Sequence, residues 1–187
     1  GESEWNLQKK VQGQNDSPLT SLGRKQAIAA KEKITDKIDI VFSSPSLRAI
    51  ETANIITSGM NVHVIKADEL MEMNSSIWEG RTLDEIESDY PNENKNFWEN
   101  PDIFTLKNAE TFSELQIRAI NYILNVLDLY KKKTIVIISH TITIYAILTY
   151  FLGHQIKDIW KQPYLKNCSH IIIDETTTGN FKVVFNN

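Results

Sequence analysis

The sequence predicts an α/β protein, a three-layer α/β/α sandwich around a mostly parallel central sheet. Short apolar, β-branched runs alternate along the chain with longer segments of helical periodicity, which is the pattern of strands joined by crossover helices. No Gly/Ser linker, internal repeat or long block of like charges interrupts this alternation, so we expect one domain over residues 1–187. A chain of 187 residues is long enough to bury a substantial core.

The first predicted helix begins after Thr20, a suitable N-cap, and continues to about residue 35. Its expected buried stripe consists of Leu22, Ala27, Ala30 and Ile34. A strand is predicted over residues 38–42. Ser44 as N-cap and Pro45 at the first helical position then favour a helix that continues to about residue 57. Another apolar run predicts a strand over residues 62–65.

Two capping boxes open the next predicted helices. Thr82 with Glu85 predicts a short helix that ends near residue 90. Thr111 with Glu114 predicts a long helix, whose apolar residues recur at helical spacing: Phe112, Leu115, Ala119, Ile123 and Leu127. Between these helices, residues 91–110 are polar and aromatic without clear periodicity, which leaves open a functional loop, a lid-like insertion or disorder.

The last third of the chain predicts a buried strand, a helix and a hairpin. Residues 134–139 are β-branched and continuously apolar, as expected of a strand covered on both faces. A helix over about 142–152 follows and is closed by Gly153, a favoured residue after a helix. Residues 168–174 and 181–185 flank a Thr-Gly-Asn turn and predict a hairpin.

Composition and charge exclude several classes of protein. The formal net charge of −4 gives no basic footprint for nucleic acid. No apolar run is long enough to span a bilayer, and no signal-peptide segment opens the sequence. The only cysteine, Cys168, cannot form an intrachain disulfide, as is typical of a reducing compartment. We therefore expect a cytoplasmic protein without nucleic-acid or membrane partners, and we leave open whether it forms a homodimer.

Arg48 is the first candidate site residue, because it lies in the opening turn of a predicted helix directly after a strand. The N-terminus of such a helix offers unpaired N–H groups and a partial positive charge to an anion. The guanidinium adds two parallel donors suited to phosphate oxygens. A surface arginine paired with Glu51 or Asp39 would explain the same residue without a function, and this segment alone does not decide between the two.

His140 and Glu72 are the other two candidates. His140 directly follows the strand at residues 134–139, where the ligands of open α/β sheets bind. The remaining histidines, in contrast, are expected to be structural or solvated: His63, His154 and His170. Glu72 follows the strand at residues 62–65, and a nearby phosphate would disfavour its charged form and suit it to proton donation. On its own, Glu72 is one of several acidic residues in a predicted loop.

Five segments in order along the chain carry a shared pattern: residues 1–6, 12–27, 43–53, 70–80 and 139–140. They begin with Gly-Glu-x-x-x-Asn, continue through Ser-Ser-Pro-Ser-Leu-Arg-Ala and Leu-x-Glu, and end with Ser-His. Together they resemble the histidine phosphatase superfamily, in its phosphoglycerate-mutase-like group and its broad-specificity or α-ribazole phosphatase-like branch. Any one match is weak, but five in family order over nearly the whole chain are not expected by chance.

The resemblance implies a phosphoglycerate-mutase-like fold and a phosphatase that works through a phosphohistidine. The attacking histidine should stand immediately before Gly1, preceded by an arginine, on a first strand that the given sequence lacks. Glu72 would protonate the leaving alkoxide and then deprotonate the attacking water. The residues implied to bind phosphate or substrate are Arg48, His140, Asn6, Thr141 through its N–H, Ser3, Gln12 and Gly13. Neither a metal nor another cofactor is implied. The expected partners are a small phosphorylated metabolite and inorganic phosphate, the product.

Some residues depart from the family pattern, and other activities stay open. Thr141 and Ser76 stand where glycine is common, and Ala109-Glu110-Thr111 replaces Gly-Glu-Ser. The mutase branch of the family resembles a chain with an arginine pair in its lid, and residues 91–110 contain no arginine. Lys95 and Lys107 could substitute as point charges, without the bidentate geometry. The aromatic side chains of this segment favour an apolar leaving group, or they pack the lid onto the sheet. A non-catalytic relative that binds a phosphoester or a protein is the other alternative.

Overall fold

A computed structural model describes residues 1–177 and 179–186. The helices are α1 (Glu4–Leu7), α2 (Ser21–Lys33), α3 (Leu47–Thr57), α4 (Leu83–Asp89), α5 (Pro91–Glu99), α6 (Phe112–Leu129) and α7 (Thr141–Phe151). The strands are β1 (Ile40–Ser43), β2 (Val64–Lys66), β3 (Ile135–Ile138), β4 (His170–Thr177) and β5 (Asn180–Asn186). Short 3₁₀ turns lie at Asp68–Leu70, Ser76–Trp78 and Ile156–Lys161. Within this part of the chain no helix combines the length and apolar character needed to cross a membrane.

The strands form a parallel sheet and an antiparallel hairpin. The parallel sheet has the order β2-β1-β3, and β1 pairs with β3 from Ile40 opposite Ile135 to Ser43 opposite Ile138. Strands β4 and β5 pair with each other, as the sequence predicts. Thr178, which belongs to the predicted turn of this hairpin, lies outside the described residues. The prediction of an α/β fold with a mostly parallel sheet is confirmed.

Alternate residues of β1 pack against opposite helical layers, which produces the three-layer arrangement. Val41 is fully buried against apolar residues of α2 and α3, such as Ala30 and Ala53. Its neighbour Phe42 points to the other face and packs against α6, including Ile123. A strand turns successive side chains to opposite faces, so a sheet with helices on both sides needs apolar residues at every position.

Three predicted N-caps are confirmed, whereas the cap predicted at Ser44 and the burial predicted for Leu22 are wrong. Thr20 caps α2, and both capping boxes form at the starts of α4 and α6. Leu22, predicted to be buried, is 51% exposed, because α2 turns Gly23, Ala27 and Ala30 to the core instead. Helix α3 begins at Leu47 after Ser46, two residues later than the cap predicted at Ser44. The hydroxyl of Ser44 is engaged elsewhere, by Ser46 and by His140.

Residues 91–110 contain a helix that the sequence patterns do not reveal. Helix α5 has Pro91 at its first turn, and its one buried residue is Phe97. Phe97 and Phe104 belong to an aromatic cluster with Trp78 and Phe112, at ring-centroid distances of 5.1 to 5.7 Å. A short, asparagine-rich helix with so few apolar residues shows no apolar residues at helical spacing in its sequence. Its stability comes from the tertiary packing of this cluster.

Candidate functional site

A cavity of about 1150 Å³ collects most of the candidate residues at the carboxyl ends of β1 and β3. The candidates that line it are Asn6, Gln12, Gly13, Arg48, Glu72, His140 and Thr141. Ser3 lies apart from them: it is fully buried, and its hydroxyl takes part in the capping box of α1 with Asn6. Gly1 also lines the cavity, together with Arg48 and His140.

Arg48 lies in the first turn of α3 and is held by the loop at residues 13–16. Its Nη1 donates to the carbonyl oxygen of Asn15 at 2.8 Å and to Oδ1 of Asp16 at 3.0 Å. Its Nη2 donates to the carbonyl oxygen of Gly13 at 3.1 Å. A guanidinium has five N–H donors, so two remain, on Nε and Nη2, that no described residue engages. These two N–H groups are therefore available to phosphate oxygens.

The alternative that Arg48 is a surface arginine paired with Glu51 or Asp39 is wrong. Arg48 is 7% exposed and forms its ion pair with Asp16. Glu51 instead pairs with Arg24 at 2.6 Å, and Asp39 pairs with Lys133 at 3.4 Å. Asp16 also accepts a hydrogen bond from the N–H of Leu47, so this carboxylate fixes both Arg48 and the start of its helix.

Glu79 holds the loop that carries the carbonyl partners of Arg48. Its carboxylate accepts hydrogen bonds from the N–H groups of Gln14 at 2.9 Å, Asn15 at 3.1 Å and Ser75 at 3.1 Å. Gly13 has a φ of +52°, and a Cβ atom at this position would collide with the Glu79 carboxylate. The loop therefore needs glycine both for its backbone conformation and for this close approach.

His140 is the N-cap residue of α7, directly after β3. Its Nε2 lies 2.8 Å from the hydroxyl oxygen of Ser44, and the side chain is buried. Burial, followed by the positive charge of Arg48, lowers the pKa of His140 well below its ordinary value. The ring is therefore neutral at neutral pH. A phosphate dianion placed beside it would favour the protonated form, in which both ring nitrogens are donors.

Glu72 is buried and is held by the N-terminus of α7. Its Oε1 accepts from the N–H of Met73 at 2.9 Å and the N–H of Thr143 at 3.1 Å, and it lies 3.0 Å from the hydroxyl oxygen of Thr143. Its Oε2 accepts from the N–H of Ile142 alone, at 3.2 Å. Because a carboxylate oxygen has two lone pairs, Oε2 keeps capacity for a further partner in the cavity. The N–H of Thr141, the first in α7, is engaged by no described residue.

The other three histidines lie away from this constellation or at its margin. His63 and His154 are exposed, in the loop before β2 and after α7 respectively. His170, the first residue of β4, is half-buried and lines the cavity. Within the described ranges, no group of three or more His, Cys, Asp or Glu residues could hold a metal ion.

The cavity continues as a long apolar slot between the two sheets. One wall is β3, from Ile135 to Ile138, and the other is the first part of β4, from His170 to Asp174. Strand β3 pairs with β1 on one side, and strand β4 pairs with β5 on one side. The other edge of each strand pairs with no described strand, and such an edge leaves backbone hydrogen-bonding groups without a ladder partner.

Three residues of the site were not predicted from the sequence: Asp16, Ser44 and Thr143. Asp16 and Ser44 fall within segments that carry the family resemblance, but their partners are distant along the chain. Thr143 lies three residues after His140, at a position where a helix N-terminus leaves its N–H free. This position in the first turn of a helix is the only feature of the local sequence that indicates a free N–H group at Thr143. It does not indicate that the N–H binds Glu72.

Comparisons with known proteins agree on one family. The model of the histidine phosphatase superfamily (branch 1) matches residues 1–187. Phosphoserine phosphatase 1 of Hydrogenobacter thermophilus is 30% identical over 160 residues, which cover 85% of this chain and 76% of that protein. The uncharacterized phosphatase PhoE of Bacillus subtilis is 33% identical over 154 residues, which cover 82% of this chain and 74% of that protein.

Solved structures resemble this fold over its whole length. YhfR of Bacillus stearothermophilus superposes with a TM-score of 0.95 at 30% identity, over 99% of this chain and 92% of that chain. Phosphoserine phosphatase of Entamoeba histolytica, in complex with 3-phosphoglyceric acid, gives a TM-score of 0.87 at 28% identity. That match covers 100% of this chain and 93% of the other.

Proposed function

The chain belongs to branch 1 of the histidine phosphatase superfamily, and we propose that it is a metal-independent phosphomonoesterase that acts on small phosphorylated metabolites. The observation that carries this proposal is the convergence of three residues, Arg48, His140 and Glu72, that line one cavity. His140 lies within 3.5 Å of the hydroxyls of Ser44 and Ser46, just before Arg48. Glu72 binds the N–H groups of Ile142 and Thr143, just after His140. Anion donors and a carboxylate side by side supply the two things that hydrolysis of a phosphate ester needs. The phosphoryl oxygens must be stabilised, and the leaving oxygen must be protonated.

Arg48, His140 and the N–H of Thr141 form the phosphate-binding part of this proposal. The two N–H groups of Arg48 on Nε and Nη2 would take two oxygens of the phosphoryl group. The Thr141 N–H, at the positive end of the α7 dipole, would take another. Donors that are already fixed stabilise the charge of the transition state without reorganisation, which is the main contribution of protein to phosphoryl transfer. We also propose that Asn6 and Gln12 contact the substrate.

The proposed nucleophile is a histidine in the segment that precedes Gly1. Two observations support this assignment. Gly1 lines the cavity beside Arg48 and His140, so a residue attached to its nitrogen would enter the site. The edges of β3 and β4 that pair with no described strand would, in addition, be able to pair with an extended segment. The nucleophile would attack phosphorus and form a phosphohistidine, which water then hydrolyses.

Glu72 is the proposed acid and base. In the first step a proton on Oε2 would pass to the leaving alkoxide as its bond to phosphorus breaks. In the second step the same oxygen would take a proton from the water that attacks the phosphohistidine, which restores the starting enzyme. Oε1 accepts two N–H groups and Oε2 only one, so we assign the proton transfers to Oε2.

The arginines favour a phosphatase over a phosphoglycerate mutase. A mutase must hold the carboxylate of its substrate as well as the phosphate. Of the four arginines in the sequence, only Arg48 lines the cavity. The others form ion pairs elsewhere: Arg24 with Glu51, Arg81 with Asp89 and Arg118 with Glu110. Phe97 and Phe104 are buried in the aromatic cluster, so we assign them to packing of the lid-like segment rather than to the leaving group.

The relatives suggest where to look for the substrate. Two of them are named as phosphoserine phosphatases, and phosphoserine is therefore one candidate among small phosphate monoesters. We also propose a cytoplasmic location, because the sequence has one cysteine and so no intrachain disulfide.

Phosphate release from a panel of phosphomonoesters tests the proposal on the full-length protein. The panel should include phosphoserine, phosphosugars, a phosphorylated nucleoside and p-nitrophenyl phosphate, all in the presence of EDTA. We expect steady release of phosphate, and a rapid acid-labile, base-stable labelling of the protein by a ³²P ester.

A parallel assay with 3-phosphoglycerate and 2,3-bisphosphoglycerate separates the alternatives. Isomerisation without net release would replace the phosphatase with a mutase. Phosphate binding without either reaction would replace it with a non-catalytic relative. Loss of activity in EDTA would contradict the metal-independent mechanism.

A further inference from the structure

The loop that carries Glu72 is fixed by an ion pair that lies behind it. Arg118 of α6 and Glu110, just before α6, form two parallel hydrogen bonds of 2.8 and 2.7 Å. Both side chains are largely shielded, at 22% and 14% exposure. A bidentate pair of this kind sets the orientation of both groups more tightly than a single contact does.

Both members of the pair also bind the backbone on either side of Glu72. The Nη1 of Arg118 donates to the carbonyl oxygens of Glu69 at 2.7 Å and Met71 at 3.2 Å. On the far side, Asn74 and Glu110 exchange two hydrogen bonds. The N–H of Glu110 donates to the carbonyl of Asn74 at 2.9 Å, and the carboxylate of Glu110 accepts from the N–H of Asn74 at 3.4 Å.

The same loop is also held on the side of the cavity. Thr143 donates from its hydroxyl to the carbonyl of Met71 at 2.9 Å, and Ser139 donates to the carbonyl of Leu70 at 2.8 Å. These contacts tie the loop to the N-terminal end of α7. Arg118 and Glu110 tie it to α6, so the position of Glu72 between the helices depends on both anchors.

We infer that Glu110 and Arg118 are positioning residues for Glu72. The inference rests on the proposed function, because it concerns the geometry of proton transfer. A proton donor must lie within hydrogen-bond reach of the leaving oxygen, and a displacement of about 1 Å far from the chemistry can cost on the order of 10²-fold in rate. Neither residue lines the cavity, so the loop is the link through which they position Glu72. Besides burial and Arg48, the positive charge of Arg118 also contributes to the lowered pKa of His140, and this effect does not depend on the leaving group.

The test compares two esters in one set of variants. The phenolate of p-nitrophenyl phosphate leaves without protonation, whereas the alkoxide of phosphoserine, or of the best alkyl ester in the panel, needs the acid. We expect Glu110→Gln and Arg118→Met each to lower kcat/KM for the alkyl ester by about 10-fold more than for p-nitrophenyl phosphate. Arg118→Lys keeps the positive charge but not the two parallel N–H donors of the guanidinium. Its loss of kcat/KM for the alkyl ester, relative to p-nitrophenyl phosphate, should lie between those of Arg118→Met and the unmodified protein.

Arg24→Met is the matched control, because Arg24 also pairs with a glutamate but lies away from the loop. It should leave both rates unchanged. An equal loss on the two esters in the Glu110 and Arg118 variants would assign the pair a structural role and overturn the inference. Unchanged rates on both esters would overturn it as well.

Glu72→Gln, measured in the same series, separates this inference from the proposed function. If Glu72→Gln discriminates between the esters and the Glu110 and Arg118 variants do not, the pair has no positioning role and the phosphatase mechanism stands. If Glu72→Gln itself does not discriminate, the assigned acid is wrong. Circular dichroism of each variant identifies any that fail to fold, and Glu110→Gln, which keeps the side-chain shape, then carries the test alone.

Discussion

Arg48 and Glu72 are the two buried charges of the cavity, and they are held in opposite ways. Arg48 is 7% exposed and binds carbonyls and a carboxylate of a single loop near the N-terminus. Glu72 is 8% exposed and binds N–H groups at the start of α7, while its loop is tied to α6. The phosphate side is thus built around one loop, which lies 32 to 35 residues before Arg48. The acid side is built between two helices.

This difference leads to different expected consequences of mutation. Arg48 faces oxygens that are present whatever the leaving group, so its loss should affect all esters equally. Glu72 acts on the leaving oxygen, so its loss should matter more as that oxygen becomes more basic. The comparison therefore predicts that loss of Arg48 lowers activity independently of the leaving group, whereas loss of Glu72 lowers it more strongly as the leaving oxygen becomes more basic.

The largest expected effect is that of Arg48→Ala. Loss of the guanidinium removes the two free donors for phosphate and leaves Asp16 without its partner. We expect kcat/KM to fall by about 10³-fold on alkyl and aryl esters alike, as for the loss of a preorganised transition-state donor. Competitive inhibition by vanadate should weaken as well. Steady-state kinetics with both esters check this, and unchanged vanadate inhibition would remove Arg48 from the phosphate site.

Glu72→Gln should give the next largest effect, and it should be selective. The amide cannot donate or take the proton, so kcat/KM for an alkyl ester should fall by about 10²-fold. The value for p-nitrophenyl phosphate should change far less, since kcat/KM reports only steps up to the first phosphoryl transfer. Glu69→Gln, in the same loop but outside the cavity lining, is the control and should behave like the unmodified protein.

Gly13→Ala tests the loop that holds Arg48. Alanine at a φ of +52° is strained, and its Cβ would displace the Glu79 carboxylate. We expect vanadate and phosphate to bind about 10-fold more weakly, because misplaced donors lose rate and affinity together. Gly59→Ala serves as the control, since Gly59 has a comparable φ of +77° and its Cβ would meet nothing within 4 Å. If Gly13→Ala and Gly59→Ala bound vanadate and phosphate equally well, the loop at residues 13–16 would have no role in positioning Arg48.

The smallest expected effect is a pH dependence of stability from His140. Burial lowers the pKa of His140 in the folded protein, whereas the unfolded chain has a histidine pKa of about 6.5. Below that pH the unfolded state binds a proton that the folded state does not, so the free energy of unfolding falls as pH falls. The slope is at most about 1.4 kcal/mol per pH unit.

Denaturant unfolding between pH 7 and pH 5 measures this slope. His140→Gln should lose this part of the pH dependence, and His154→Gln, at an exposed position, should keep it. Identical slopes for His140→Gln and the unmodified protein would mean that His140 titrates in the folded protein much as it does in the unfolded chain.

The contrast between the two sides of the cavity also explains what could be predicted from the sequence. Arg48 and His140 are recognisable because each lies at the start of a helix that follows a strand, and strand ends of a parallel sheet meet at one edge. The capping boxes of α4 and α6 are recognisable because their hydrogen bonds join residues only three apart. Features of this kind depend on residues close together in the sequence, so they can be recognised without the structure.

What the sequence patterns did not reveal depends on contacts between distant residues. Arg118 reaches the Glu72 loop across 47 to 49 residues of sequence, and no local pattern marks it. Helix α5 was missed because its one buried residue, Phe97, is stabilised by rings from elsewhere in the chain. Ser76 has a φ of +47°, which is the conformation that favours glycine. This φ is a structural reason for a glycine at this position, where the resemblance to the family implies one.

The most direct test of the division of labour between Arg48 and Glu72 is the dependence of kcat/KM on the basicity of the leaving group. A series of aryl and alkyl phosphates should be measured with the unmodified full-length protein, Arg48→Ala and Glu72→Gln. We predict that Arg48→Ala lowers every member by a similar factor, so that its line stays parallel to that of the unmodified protein. Glu72→Gln should give a steeper line that diverges towards alkyl esters. Parallel lines for all three proteins would contradict the assignment of Glu72 as the acid.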